Sequence, residues 1–415
     1  MKTVHIPRRF LAESWGGTET VVLETLKNLR KQGHPSEIFT SMALSNRAVD
    51  SLQDVPIRRF RHFYPYFGLT AEARHQLDQK GGNLFSWPLL WALLREPGLE
   101  LLHLHTGKRM GGIVRMAAKL RKIPYVLSVH GGLTDVPSDE VATWTDPTKN
   151  TWEWGKLLGA LVGSRRVVED AAAILCLGKK EQAQLQKLHP RSRVELFPNG
   201  VDVDRFAVGP ARSGAFRERL KISQDAKVLL CVARIDGQKN QLLALKILEQ
   251  LRAQNHGEYH LVLAGPITNQ NYFQEIERYA LEHQLTDCFS YCGSLSGQEL
   301  VDAYHGSDLF LLCSRHEPFG IVLLEAWAAG LPVMASAVGG VVDLVKPGLG
   351  ELFDPTDAPE MLAGRIAQLV GNPERTAQMA AQALAEVRSQ YGWDQLIRRL
   401  VSIYQEVARA HSVRQ

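Results

Sequence analysis

Two glutamates, Glu317 and Glu325, stand eight residues apart across what reads as the entrance to a helix. They lie in the stretch S-R-H-E-P-F-G-I-V-L-L-E-A-W-A-A-G-L-P-V-M-A-S-A-V-G-G-V-V-D-L-V, from Ser314 to Val345. An ionised carboxylate only accepts hydrogen bonds, which suits it to the vicinal diols of a sugar. At a rise of about 1.5 Å per helical residue the two acids would be roughly 12 Å apart, near the length of a diphosphate with a sugar at each end. Between them, the free N–H groups of a helix starting at Gly320 would face anionic oxygens. One carboxylate would then accept from a hexose and the other from a ribose. Arg234 and Lys239 flank a turn after the apolar run Lys227–Val232. A planar guanidinium fork and a compact ammonium are complementary donors to one diphosphate. Acids at a helix start are also favoured with no ligand present, because they oppose the helix dipole.

These groups need rigid supports. Leu309–Cys313 reads as a buried strand that delivers Glu317 to the loop beyond it. The following helix is expected from Gly320 to Ala329, stopping at Gly330 with Pro332 just after. Ile321, Leu324 and Ala328 would form its sheet-facing side. Strands and helices alternate along the rest of the chain, which predicts an α/β fold with parallel sheets in both halves. In the first half, Gly16-Gly17 separates a strand at Val4–Ile6 from a helix at Thr18–Lys31, where backbone can approach a ligand. His130-Gly131-Gly132 follows the strand Tyr125–Val129, at the carboxyl end where open α/β sheets bind ligands. Helices are expected at Ser86–Arg95, Gly107–Lys122, Lys156–Asp170 and Lys179–Leu188. The polar segment Leu133–Thr151 suits a mobile substrate loop.

Composition narrows the class. The 415 residues are 45% hydrophobic and 22% charged, as in ordinary soluble proteins. No apolar run reaches the length of a membrane span, and the first residues lack the apolar core of a signal peptide. Five cysteines, three of them in strand-like runs, read as reduced thiols of a cytoplasmic protein. The net charge of +4 hides an asymmetry: residues 1–210 hold 29 Lys+Arg against 21 Asp+Glu, and residues 211–415 hold 19 against 23. A basic first half points to an anionic partner. Its aromatic-basic run P-I-R-R-F-R-H-F-Y-P-Y-F (Pro56–Phe67) can meet an anionic membrane surface or form an edge strand. Asp202-x-Asp204, a spacing seen in metal sites, precedes the Gly/Pro/Ser linker Val208–Gly214 and reads as a turn.

The run H-E-P-F-G-I-V-L-L-E-A with its G-L-P-V stop and A-V-G-G resembles the E-x7-E donor signature of retaining glycosyltransferase family 4. The segments G-G-T-E, V-H-G-G, N-G-V-D and V-A-R-I-D-G-Q-K-N are similar to other elements of that family. The resemblance implies the GT-B architecture, two Rossmann-like domains facing across a cleft. Residues 1–205 would bind the acceptor and 206–390 the nucleotide-sugar donor, with 391–415 a helix returning to the first domain. It implies sugar transfer from a UDP-, GDP- or ADP-sugar to an acceptor hydroxyl with retention, and no metal or other cofactor. The acceptor would be a saccharide or lipid-linked saccharide, in bacterial cell-surface polysaccharide, lipopolysaccharide or glycolipid synthesis. The site would be cytoplasmic, with peripheral contact to the inner membrane face and no nucleic acid. Catalytic roles would fall to His130, Glu317, Arg234 and Lys239. Donor contacts would come from Gly16, Gly17, Arg234, Lys239, Glu317, Phe319, Gly320, Ile321 and Glu325. Two departures bear on turn geometry: Asn240 replaces a glycine, and Val342-Asp343 stands where the family has Pro-Glu. The alternatives are a GT-B sugar-nucleotide epimerase or hydrolase, and a non-catalytic nucleotide-sugar-binding subunit. A dehydrogenase is disfavoured, because no G-x-G-x-x-G follows the first strand.

Overall fold

Apolar runs of four to six residues build two separate parallel sheets in the computed structural model, which describes residues 1–11, 16–79, 81–131, 148–149, 151–207 and 214–413. The strands, in chain order, begin with β1 (Lys2–Ile6), β2 (Ser36–Ser41), β3 (Val49–Leu52) and β4 (Val55–Phe60). Next come β5 (Tyr66–Phe67), β6 (Leu99–Leu104), β7 (Tyr125–Ser128), β8 (Trp152–Glu153), β9 (Ala173–Cys176) and β10 (Val194–Leu196). The second sheet is made of β11 (Lys227–Val232), β12 (Tyr259–Ala264), β13 (Phe289–Tyr291), β14 (Leu309–Leu312), β15 (Val333–Ser336) and β16 (Glu351–Phe353). Two compact units result: Met1–Pro198 with Leu396–Gln415, and Asn199–Gln395. The division falls at Pro198 rather than at residue 205, because Asn199–Ala207 folds with the second sheet: Val201 bonds Tyr391, and Asp202 caps the short helix Val203–Ala207. That cap, Arg205 N–H to the Asp202 carboxylate at 3.1 Å, gives Asp202 a structural task.

The first unit's sheet has the order β10-β9-β7-β6-β1-β2-β4-β3, parallel except for the β3–β4 hairpin. Chain progression reverses between β1 and β6. The second unit's sheet has the order β13-β12-β11-β14-β15-β16, all parallel, and reverses between β11 and β14. Such a reversal opens a crevice at the strands' carboxyl ends, the usual binding place of open α/β sheets. The two strands at the second reversal are fastened at their other ends. Arg217, 1% exposed, holds the Asp308 carboxylate at 2.6 Å, and that carboxylate accepts the Val228 N–H at 2.9 Å. Val228–Cys231 and Leu309–Leu312 are buried throughout, as expected of strands covered on both faces.

The expected helices at 18–31, 86–95, 107–122 and 179–188 form at Gly17–Lys31, Trp87–Arg95, Lys108–Arg121 and Lys179–Leu188. That expected over Lys156–Asp170 breaks into Lys156–Leu161 and a 3-10 turn at Ser164–Arg166. Gly163 causes the break: its φ is +64°, and a Cβ there would fall 2.3 Å from the Arg115 guanidinium. The Pro56–Phe60 part of the run is not a solvated edge, since β4 lies between β2 and β3, whereas Tyr66–Phe67 forms β5, paired with β8 in a two-stranded sheet with Phe67 exposed. Arg58 pairs with Glu96 at 2.6 Å, and Arg59 with Asp50 at 3.1 Å, so neither offers a free basic face. No described helix is long and apolar enough to cross a membrane. Ser14, Trp15, Gly132, most of the expected substrate loop and the linker 208–213 lie outside the described residues.

Candidate functional site

Both reversals carry polar groups that the strands deliver to one end. In the second unit, β11 ends in the turn Ala233–Lys239. Asp236 secures this turn by accepting the Lys239 N–H through its carboxylate at 3.1 Å. Asn240 starts the helix Gln241–Ala253 with φ +53°, a left-handed conformation that asparagine tolerates, so the exchange for glycine keeps the turn. β14 leads into Ser314–Gly320. The two loops are tied where the Arg315 N–H donates to the Gln238 carbonyl at 2.8 Å. The tie brings the Lys239 ammonium within 2.7 Å of the Glu317 carboxylate, with both side chains 13% exposed. Arg234 lies on the same turn, 3.4 Å from Asp236 and 3.4 Å from the Gln238 side-chain oxygen, and is more open at 40%.

The Glu317 segment is clamped from behind. The Gly340 N–H donates to the Glu317 carbonyl at 3.0 Å. Gly339 has φ +52°, and a Cβ there would sit 2.1 Å from the same carbonyl. Any side chain at 339 would push Glu317 out of place. This resolves the shape of the turn in which Val342-Asp343 replaces Pro-Glu: Gly340 leads directly into a short helix, Val341–Leu344. Phe319 is buried, and Gly320 caps the helix Ile321–Ala328 at φ +92°. Of the expected Ile321/Leu324/Ala328 face, Leu324 and Ala328 are buried while Ile321 is half-buried, and Leu323, Ala326 and Trp327 are buried as well.

Glu325 is engaged differently from Glu317. Its carboxylate accepts the Tyr304 hydroxyl at 2.7 Å, and Tyr304 is 1% exposed. Burial pushes the Glu325 carboxyl up from its ordinary range, against the opposing hydrogen bond from Tyr304. The sequence reading missed this partner, since Tyr304 belongs to another helix, Gly297–His305.

In the first unit the reversal is furnished with imidazoles. His103 and His105 alternate along the end of β6 and share one face. His5 on β1 is the parallel partner of His103. His5 Nδ1 lies 3.0 Å from His105 Nε2, and His105 Nδ1 lies 2.8 Å from His130 Nε2. The His103–His105 and His105–His130 rings are stacked at 4.2 and 5.1 Å. His103 bonds the Tyr404 hydroxyl at 2.5 Å and Ser128 at 2.7 Å. Burial lowers the affinity of all four rings for a second proton, with His130 brought down to about 4. They are neutral at pH 7. Sequence reasoning found His130 alone; the L-H-L-H ending of a buried strand was the available signal for the others.

Gly16 precedes the helix Gly17–Lys31 in extended conformation, so no positive φ demands glycine there. A cavity of about 210 Å³, which the sequence did not announce, is lined by Arg8, Asn83, Thr106, Gly107 and Lys108 among others. Arg8 is held by the carbonyls of Leu77 and Asp78 at 3.1 Å, and Lys108 by that of Gly81 at 2.8 Å. Burial, then the neighbouring Arg8 charge, lowers the Lys108 pKa. Two cations sharing a half-closed cavity repel one another, and a bound anion would relieve that repulsion.

Family comparison matches residues 213–385 to the model "Glycosyl transferases group 1" and residues 15–205 to "Glycosyltransferase Family 4". The chain belongs to glycosyltransferase family 4. Among relatives of this glycosyltransferase is the D-inositol 3-phosphate glycosyltransferase of Kineococcus radiotolerans, 29% identical, covering 95% of this chain and 91% of the relative. The Nocardioides enzyme of the same name is also 29% identical, covering 95% and 86%. Sucrose-phosphate synthase from Thermosynechococcus elongatus superposes with a TM-score of 0.74 at 20% identity over 99% of both chains. Anabaena HepE in complex with UDP does so with a TM-score of 0.71 at 19% identity over 100% of both. The fold is therefore that of GT-B glycosyltransferases.

Proposed function

We propose that the chain transfers a hexosyl group, with retention, from a nucleoside diphosphate sugar to a hydroxyl of a phosphorylated acceptor. The observation that carries this reading is the Lys239–Glu317 pair at 2.7 Å, held at the reversal of the second sheet. An ammonium has three donors. Glu317 occupies one and fixes the charge, leaving the others for the diphosphate. Arg234 and the helix start at Gly320 complete a set of preorganised donors for charge that grows on the leaving group. Glu317 would also accept from hydroxyls of the transferred sugar and Glu325 from the ribose. Phe319 and Ile321 would border the donor, and Gly16, Gly17 and His130 would contact substrate. None of these roles calls for a metal or other cofactor.

The donor to test first is UDP-glucose, because HepE has been seen with UDP and with UDP-glucose. The names of the sequence relatives support an inositol phosphate as acceptor. The cavity with Arg8 and Lys108 offers two cations to such a phosphate. A lipid-linked saccharide on the cytoplasmic membrane face is the second acceptor class, as in cell-surface polysaccharide synthesis. It is favoured by Phe67 and Trp152, stacked at 5.5 Å and each at least 60% exposed. Arg58 and Arg59 are paired with acids, so this contact would rest on the aromatics and on the exposed Arg61.

The test is a screen of UDP-, GDP- and ADP-sugars against inositol phosphate and a lipid-linked saccharide. Released nucleotide is measured, and product configuration is read by NMR. Release only with an acceptor, giving a product of the donor's anomeric configuration, supports the proposal. A new sugar nucleotide formed from donor alone would make it an epimerase. No release from any combination would leave a binding subunit.

A further inference from the structure

Three imidazoles in line raise a proton-counting problem that the structure answers. The chain of contacts is His5 Nδ1 to His105 Nε2, then His105 Nδ1 to His130 Nε2. At 3.0 and 2.8 Å each contact needs one proton between its two nitrogens. Three neutral rings carry three protons. Two fill the contacts, and the third must sit at one end of the chain, on His5 Nε2 or on His130 Nδ1. His5 Nε2 is buried and has no hydrogen-bond partner among the described residues. A buried N–H without an acceptor is the less tolerated of the two orphans, as an N–H has one way to be satisfied. The third proton therefore belongs at the other end. His5 then donates to His105, and His105 donates to His130.

We propose that His105, backed by His5, is a positioning residue that fixes His130 as a neutral ring protonated on Nδ1, so that His130 meets the substrate as a hydrogen-bond donor and not as a base. This rests on the proposed role of His130 beside the transferred sugar. Burial supports it by holding all three rings neutral at working pH. A neutral imidazole donating from a fixed nitrogen can polarise a sugar or phosphate oxygen without removing a proton. The geometry also explains why the strand ends in alternating histidines. His105 faces the chain, while His103 on the same side is occupied at both nitrogens by Tyr404 and Ser128. His103 thus closes the cluster and takes no part in the relay.

The test compares two substitutions in the full chain. His105→Phe keeps a ring in the stack but removes both nitrogens. His105→Gln keeps one donor and one acceptor in a chain of similar reach. Long-range proton–nitrogen NMR of histidine-labelled protein reports which His130 nitrogen carries the proton, with His130→Gln identifying its signals. The wild type should show Nδ1–H. His105→Phe should lose that preference and lower kcat about tenfold or more with donor KM unchanged within twofold, and His105→Gln should restore both to within about threefold. A wild-type proton on Nε2 would overturn the proposal. So would equal losses in both variants with equally lowered Tm, which would reduce His105 to packing. Stoichiometric uptake of added Zn2+ that disappears in His5→Gln would also overturn it, because the three strand-end histidines would then be ligands. The tautomer measurement needs no substrate, so it decides the relay even where the donor screen finds no transfer.

Discussion

The two sheets reverse direction at corresponding places, β1/β6 and β11/β14, yet equip those places with different groups. The second unit keeps fixed charges there: an ammonium against a carboxylate, with a guanidinium on the same turn. The first unit keeps neutral rings, made neutral by burial and by one another. In the proposed reaction the same crevice geometry would serve two chemical tasks. A departing diphosphate gains charge, which calls for cations already in place. Sugar hydroxyls are neutral, and groups handling them need direction more than charge. One sheet order is a scaffold that leaves the task to the residues at the strand ends.

The sharpest break in the comparison should come from removing a charge in the second unit. Lys239→Met should lower kcat by roughly 10²–10³, the size expected for one lost preorganised donor. Steady-state transfer assays would show it, and a change below threefold would mean the pair is only structural. On the neutral side, His130→Ala should lower turnover by about 10²-fold while leaving nucleotide affinity nearly unchanged. Calorimetry with free nucleotide beside the transfer assay separates these. Near-normal turnover would make His130 a core residue.

Protonation should strike the first unit harder. Burial holds the clustered His5, His103, His105 and His130 below the ordinary 6.5, with His130 near 4. Between those values the unfolded chain binds protons that the folded chain refuses. Stability is therefore full above about pH 6.5 and falls as pH drops toward 4. His130 alone would account for about 3 kcal/mol at most. Urea unfolding at pH 7.5, 6 and 5 would trace the loss, and a flat profile would contradict the neutral cluster.

A smaller effect should separate the two acids. Glu325→Ala should weaken binding of free nucleoside diphosphate about tenfold and also cost about 1–3 kcal/mol of stability, since it leaves the buried Tyr304 hydroxyl only the distant Val322 carbonyl at 3.5 Å. Glu317→Ala should leave nucleoside diphosphate binding within about threefold and depress transfer about tenfold. Identical effects from both would mean that they do not grip opposite ends of a ligand. The weakest signal is expected from the exposed aromatics. Phe67→Ser with Trp152→Ser should reduce sedimentation with anionic vesicles about twofold to fivefold at low salt. Unchanged sedimentation would remove the membrane reading.

How far was this legible in the chain? The strand-and-helix alternation was, because the side-chain periods of 2 and 3.6 are written locally. Lys179–Leu188 formed at its expected bounds, and the apolar run Lys227–Val232 became a strand. The Glu317–Glu325 segment was legible for the same reason: Glu317, Gly320 and Glu325 lie within one short run, and Gly320 and Gly330 punctuate it by backbone chemistry. The interruption at Gly163 was not, since the helical pattern runs on through it and only Arg115, from another helix, makes the break necessary.

What remained for the tertiary structure were the partners. Lys239 and Glu317 are 78 positions apart, His5 and His105 are 100 apart, and His103 and Tyr404 are 301 apart. No local period carries such pairings. They follow from the order in which parallel strands are laid beside one another and from the register between them, which sets His5 against His103. The sequence by itself determined which residues could do chemistry and which elements would carry them. Strand order and register decided which of them met, because every parallel pairing needs a crossover long enough to erase the local signal.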